Sequence, residues 1–593
     1  MKKRSQIAEK YKWDLSPIYS SCEELLQDVE KLKSYPEKLA SYKGKLKKPA
    51  LCLEFFKLGT EVSKLDEKIS VYLLLKLSEN LEDAKYLELE SVVSTINKKI
   101  SCATAFEESE LLKCGEKYIR KLMADERFAI YRLSLDNFLR NKDHVLSEKE
   151  EEIISKAGKS LGGYSDVFDN LDNLDLKFQD AEDAKGKLHE VNQHNYSELL
   201  ESKDRVLRKN ALISYTKGYH SVSNTIGSTY ISSVEGDWFM ADVYKFDSVL
   251  ESSLFGGNIP KEVYTKLLES VRNSVKYVHK FYALKKKALG FKDYYMYDRL
   301  VPITKSRDKY NYEDSCRHVL NAMAVLGEDY VKHLNDAISN RWIDVYPCEK
   351  KESGGYCCNV YEPHPYILLN TVDDSRSIYT LAHELGHAMH GKLSAECQPY
   401  ESYDHTIFLA EIASTVNEVL LFKYLYANAK SRNDKIAHLE KYISNIIATI
   451  FVQTLYSEFE YYAHSLVEKG EPISKELLNA KYKELTQYYY GKGVKLLPDD
   501  VGEGWMRIPH FYRAYYVYKY ATGMTAAINF GRKISSGDAD TRDKYIKFLQ
   551  AGSSDYSINI LKTAGIDLTT DEPYKVMEDE LKWAISELSN LIG

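Results

Sequence analysis

Two histidines four residues apart, with a glutamate beside the first, are the side chains of this sequence best placed to do chemistry: His383-Glu384-Leu-Gly-His387. Four residues turn a helix by about 400°, so the two imidazoles leave the same face one turn apart. Imidazoles so placed can share one tetrahedral zinc ion, with Glu384 close enough to act as a base on a water at the metal. The bare pattern also arises by accident, as two structural histidines on an ordinary helix. Its surroundings favour the metal. Leu381, Ala382, Leu385 and Ala388 are apolar, and a buried helix carrying two imidazoles and a carboxylate needs a partner for each polar group. Gly386 permits close approach of a second backbone, at a cost of about 1 kcal/mol relative to alanine in a helix.

A catalytic zinc normally takes three protein ligands and leaves one position open. A third histidine six residues after the second is absent: His390 stands where that longer pattern has glycine, and Leu393 where it has histidine. A carboxylate on a second helix is the other route. Phe408-Leu-Ala-Glu411-Ile-Ala-Ser414-Thr-Val-Asn-Glu418 offers Glu411 in an apolar turn, on one face with Ser414 and Glu418. Glu396, Glu401, Asp404 and His405 remain alternatives, in a segment that reads as a loop. Glu418 is either a partner that fixes a histidine ring or a carboxylate facing solvent.

Two further segments can shape a cleft. Ser353-Gly-Gly355-Tyr356-Cys357-Cys358 through Asn370 combines a glycine turn with extended residues just before the histidines. An edge strand there can pair with an extended chain; an ordinary core hairpin is the alternative. In Trp505-Met-Arg507-Ile-Pro509-His510-Phe-Tyr512, Pro509 suits a first helical turn. Tyr512, Tyr516 and Tyr520 then form one helical stripe, with Tyr515 and Tyr518 on another. Such stripes are often plain core. His510 with a neighbouring tyrosine hydroxyl can instead supply donors to a developing oxyanion.

The elements that must hold these residues are mostly helices. Prolines number only 13 in 593 residues, and apolar residues recur at helical spacing at Leu25, Leu26, Val29 and Leu32, over Leu73–Leu89, Val206–Ile213 and Ala437–Phe451. Strand character is confined chiefly to Gly355–Leu369. The length exceeds one compact core, so several lobes are expected; the charged stretches Asn141–Glu152 and Gln179–Lys187 are candidate seams. A net charge of −7 argues against a general nucleic-acid binder. No apolar run is long enough to span a bilayer. The basic start Met1-Lys2-Lys3-Arg4 is followed by polar residues, so no secretory signal is read. Nine scattered cysteines without a C-x-x-C pair fit a reducing cytoplasm.

The chain resembles the thimet-oligopeptidase-like zinc peptidases, and most closely their bacterial oligoendopeptidase F branch. The residues that carry the resemblance are His383-Glu-Leu-Gly-His387, Ala410-Glu411-Ile-Ala-Ser-Thr415 with Asn417-Glu418, Ile508-Pro-His-Phe-Tyr512 with Tyr516-Val-Tyr-Lys-Tyr-Ala-Thr-Gly523, Ser353-Gly-Gly-Tyr with Pro365-Tyr-Ile-Leu-Leu-Asn370, and Trp13-Asp-Leu-Ser-Pro-Ile-Tyr19. The resemblance implies a mainly α, two-lobed, zincin-type fold with a deep central channel and a small hairpin beside the zinc helix. It also implies cytoplasmic cleavage of oligopeptides, with no nucleic-acid or membrane partner, by a monomer or small homo-oligomer. Carried over by motif position, His383, His387 and Glu411 bind one Zn²⁺ and Glu384 is the general base. His510 and Tyr518 stabilise the transition state, while Gly355, Tyr356, Tyr512 and Tyr516 contact substrate. The implied divisions are an N-terminal helical region (1–110), an oligoendopeptidase F-type helical region (111–200) and a catalytic domain (201–593). Cys357-Cys358-Asn359 departs from the small residues usual in that branch, which leaves the course of the substrate-pairing strand open.

Overall fold

The structure, a computed structural model, describes residues 2–304, 309–498 and 500–593. Helices make up 70% of the chain, and the described residues contain two small sheets. The mainly α expectation holds. Two compact units are present: one comprises Met1–Val145, Asp308–Tyr424 and Phe530–Ile566, the other Leu146–Arg307, Leu425–Asn529 and Asp567–Gly593.

In the first unit, helix Cys22–Lys33 shows how pattern becomes structure. Ser21 accepts a hydrogen bond from the Glu24 N–H at its start, which satisfies one of the free first-turn donors. Leu25, Val29 and Leu32 are buried, whereas Leu26 lies on the solvent side. The apolar pattern over Leu73–Leu89 is not one helix. Pro49–Glu79 stops at Asn80, and Ala84–Thr104 starts anew, capped by Asp83 accepting from the Lys85 and Tyr86 N–H groups. The aspartate offers the backbone a local alternative to continuing the helix.

The N-terminal core reaches from Trp13 and Leu25 through Phe56 and Leu75 to Tyr366 and Leu368. Those last two residues belong to the central strand of a three-stranded sheet. Tyr366–Leu368 runs parallel to Ile343–Asp344 and antiparallel to Tyr356–Cys358, with Cys357 opposite Ile367. Tyr356–Cys358 is therefore an edge strand. The sheet is anchored below by charge: Asp344 receives Lys351 Nζ at 2.8 Å and Arg4 Nη2 at 2.6 Å. Arg4 also reaches Glu79 at 2.9 Å, which accepts from Trp13 Nε1 at 2.7 Å. The parallel strand Ile343–Asp344 lies outside the stretch where strand character was expected; two residues are too few to show a period.

The second unit is a helical assembly in which Glu572–Ile592 packs on Arg432–Ile446 and on Lys261–Ala288. The pattern over Ala437–Phe451 begins in the first of these partners and passes into a π-type turn at Ile447–Val452. Buried charge is paired here too, Arg208 with Asp298 at 2.7 Å and Lys285 with Glu440 at 2.7 Å. A two-residue hairpin, Ala181–Glu182 with Leu188–His189, was not visible in the pattern. Nor is the segment after Pro509 a continuous helix. Pro509–Tyr512 is a single turn, and the next helix begins at Tyr518. Between them Tyr515 takes φ 53°, a left-handed backbone that no α-helix contains. Its N–H is held by Glu460 Oε1 at 2.6 Å.

Candidate metal centre

His383 and His387 lie on helix Ser377–Cys397, which is buried along Leu381, Ala382, Leu385 and Ala388. Glu411 lies on helix Ile407–Asn428. The close crossing of these helices depends on Gly386: a Cβ there would stand 2.6 Å from Ser414 Cα and 2.7 Å from the Ala413 carbonyl oxygen. Asn417 ties the pair further. Its Nδ2 donates to the Ala382 carbonyl at 3.0 Å, and its Oδ1 accepts from Tyr330 OH at 3.0 Å.

Three donor atoms converge as a result. His383 Nε2 and His387 Nε2 are 3.2 Å apart, and Glu411 Oε2 is 3.4 Å from the first and 3.8 Å from the second. Ligand atoms bound tetrahedrally at roughly 2.0–2.1 Å from a zinc ion stand roughly 3.3–3.4 Å from one another. The trio fits such an ion. It is also the one group of three or more potential metal-binding side chains found among the described residues.

The ring orientation is fixed from behind. His383 Nδ1 donates to Glu418 Oε1 at 2.6 Å, which leaves Nε2 facing the trio. Glu418 is thus the ring partner rather than a carboxylate facing solvent. Ser414 Oγ donates to Glu411 Oε2 at 3.1 Å. Burial and neighbouring charges shift His383, His387 and Glu384. Burial would lower His383, but the hydrogen bond and charge of Glu418 outweigh it and raise the imidazole to about 9. Burial and the charge of His383 push His387 down to about 3. Burial, reinforced by Glu411 and Glu418, pushes the Glu384 carboxyl up to about 7 against the pull of His383.

The trio opens on a cavity of about 500 Å³ that is also lined by Gly355, Tyr356, Cys357, Asn359 and Glu384. Gly355 sits close under Thr380 Cγ2, where a Cβ would approach to 3.2 Å. Side chains alternate along the edge strand: Tyr356 and Cys358 pack on the N-terminal core, Tyr356 OH donating to Ser78 Oγ at 2.8 Å. Cys357 takes the other face. The rival third ligands are placed elsewhere or otherwise engaged. Glu401 accepts from Thr60, and Glu396 pairs with Lys392 at 3.2 Å. His405 and Asp404 line the cavity, but the His405 ring stacks on His390 at 3.6 Å.

In the second unit, His510 Nε2 meets Tyr520 OH at 3.4 Å and its ring stacks on Tyr516. Tyr518 is buried against Tyr264, and Tyr512 packs on Phe168. Tyr516 and Tyr520 both stand beside His510, and sequence reasoning had placed Tyr520 only on a stripe. Asn417, Tyr330 and Asn359 were also missed as site-forming residues. Asn417 alone carried a signal, as a neighbour of Glu418 in the segment that bears the family resemblance.

Comparison with known proteins bears on this geometry. A profile described as peptidase family M3 matches residues 198–577. The chain belongs to that family. A second profile, described as oligopeptidase F, matches residues 110–178. Among curated relatives, oligopeptidase PepF of Bacillus subtilis is 33% identical over 99% of this chain and 88% of its own length. Group B oligopeptidase PepB of Streptococcus agalactiae is 34% identical over 100% of this chain and 98% of its own. A crystal structure of a putative peptidase from Chlamydophila abortus superposes with TM-score 0.93 at 29% identity, covering both chains completely. That of oligoendopeptidase-F from Enterococcus faecium gives 0.75 at 29% identity, over 96% of this chain and 99% of the other. The protein is a peptide-hydrolysing metalloendopeptidase of the oligoendopeptidase F kind. Membership of family M3 implies a metal. No described helix is long and apolar enough to cross a membrane.

Proposed function

We propose that His383, His387 and Glu411 hold a single zinc ion and that Glu384 is the general base in hydrolysis of short, unstructured oligopeptides in the cytoplasm. The observation that carries this reading is the spacing of the three donor atoms, 3.2, 3.4 and 3.8 Å. When bound, the ion supplies Lewis acidity toward the scissile carbonyl and the attacking water.

The chain's own residues do the rest. Glu384 is buried and lines the cavity beside the trio, where a carboxylate can take a proton from water and return it to the leaving amine. Glu418 holds the His383 ring through Nδ1, and Ser414 holds Glu411. The edge of strand Tyr356–Cys358 offers backbone groups to an extended peptide, with Gly355 leaving room beside it. His510 is kept neutral at pH 7 because burial, and then Arg513, lower its pKa; its N–H is available as a donor. With Tyr518 it is assigned to the developing oxyanion, and Tyr512 and Tyr516 to substrate contact, on motif position.

Metal content tests the ligand set. The wild-type chain purified without chelator is expected to carry one zinc per molecule by mass spectrometry of its metals, whereas His387→Ala and Glu411→Ala lose it. Stoichiometric zinc in either variant would show that the ion sits elsewhere.

A further inference from the structure

The second unit contains a cavity of about 690 Å³, walled by residues of helices Arg205–Ser221, Gln453–Glu468 and Lys475–Tyr490 and of the turn Glu503–Arg507. None of its lining residues belongs to the metal trio. Its volume lies within the roughly 300–1,000 Å³ of small-molecule sites. Two arginines, Arg299 and Arg507, line it.

Neither arginine is paired with a carboxylate. No described residue forms a hydrogen bond or ion pair with the Arg507 guanidinium; its electrostatic neighbours are the hydroxyls of Tyr456, Tyr482, Tyr196 and Tyr215, and Arg299. Arg299 donates Nη1 to Tyr490 OH at 2.9 Å, while its Nε is enclosed and without a partner. Both guanidinium groups remain protonated at any physiological pH. The carboxylates that line the cavity are committed elsewhere: Glu503 binds His220 Nδ1 at 2.8 Å, and Asp500 Oδ1 caps the Gly502 N–H at 2.8 Å. Two neighbouring guanidinium groups with N–H donors left over favour an anion that pairs with both.

The wall itself is aromatic. Tyr196 and Tyr215 stack at 3.9 Å and 7°, and Tyr456 and Tyr482 at 6.4 Å and 19°. Lys209 and Lys217 are exposed at its edge, which adds positive charge to the approach.

We propose that this cavity is a binding site for an aromatic carboxylate, the carboxylate held by Arg299 and Arg507 and the ring lying among the tyrosines. Guanidinium groups engage carboxylates through paired N–H donors, and the flat tyrosine faces suit an aromatic body. The inference goes beyond peptide hydrolysis and does not rest on the metal assignment. Two sources present this chemistry: a free aromatic acid, or the C-terminal carboxylate of a peptide ending in an aromatic residue.

The test is calorimetric titration of naphthoate into the full chain and into His383→Ala, the latter excluding carboxylate binding at a metal. Saturable one-to-one binding of equal strength is expected in both. Arg507→Leu and Arg299→Gln, each checked for folding by circular dichroism, should weaken it roughly tenfold to a hundredfold. Naphthalenemethanol, which lacks the charge, should bind more weakly and be indifferent to either substitution. Should Arg507→Leu fail to fold, Arg507→Lys, which keeps the charge but not the fork, and Arg299→Gln carry the comparison. Displacement of naphthoate by N-acetyl-Ala-Ala-Phe but not its amide assigns the peptide terminus as source; no displacement assigns a free acid. Absence of saturable binding, loss of binding in His383→Ala, or undiminished affinity in the arginine variants would overturn the proposal.

Discussion

Glu418 shows how much a single side chain outside the donor trio can decide. Its hydrogen bond to His383 Nδ1, at 2.6 Å, selects the nitrogen that faces His387 and Glu411. Partners of this kind are worth about 10- to 100-fold in metal affinity. Glu418→Gln is therefore expected to raise the zinc dissociation constant by about that factor in competition with a chromophoric chelator; an unchanged constant would reduce Glu418 to a bystander. The sequence placed Glu418 on the face of Glu411, since seven residues make nearly two turns. Spacing does not say whether that face meets histidines or water, because the answer lies in how two helices cross.

That crossing is made possible by Gly386, and two elements respond to its replacement. Alanine is the better helix former by about 1 kcal/mol, yet its Cβ would fall 2.6 Å from Ser414 Cα, on backbone that cannot swing aside. Gly386→Ala should destabilise the fold by about 1–3 kcal/mol, as overpacking does, and weaken metal binding by drawing Glu411 away from the histidines. Chemical denaturation and zinc titration check both; a more stable variant with full metal affinity would refute the crossing. The approach to the central strand carries a pH dependence. His364 stacks on Trp342 at 4.3 Å and 6° and lies against Tyr366. Burial, outweighing the hydrogen bond to the Pro365 carbonyl and aided by Lys392, lowers its pKa from 6.5 to about 4. The fold thus favours the neutral ring: its contribution is complete above pH 6.5 and is lost as pH falls through about 4. Between pH 7 and 4 the wild type should lose roughly 1–3 kcal/mol more than His364→Phe in urea unfolding. Parallel losses would place the acid sensitivity elsewhere.

Over the whole chain, the parts written in local chemistry were readable. The helical period, the H-E-x-x-H pair and the apolar turn around Glu411 each follow from neighbouring residues, and the structure brings that pair and Glu411 together. Features set by distant contacts were not. Strand Ile343–Asp344 exists because Tyr366–Leu368 lies beside it. The helix foreseen from Pro509 yields at Tyr515, whose N–H is taken by Glu460, 55 residues earlier. Nor does any local pattern disclose that each unit draws on three separate stretches. The central claim is that one buried carboxylate, Glu384, turns a metal-binding protein into a hydrolase. The most direct test is cleavage of a quenched fluorescent peptide by wild type and Glu384→Gln, with zinc measured in both. Turnover by the wild type alone, with equal zinc in each, is the expected result; equal turnover by the zinc-loaded variant would contradict the role assigned to Glu384.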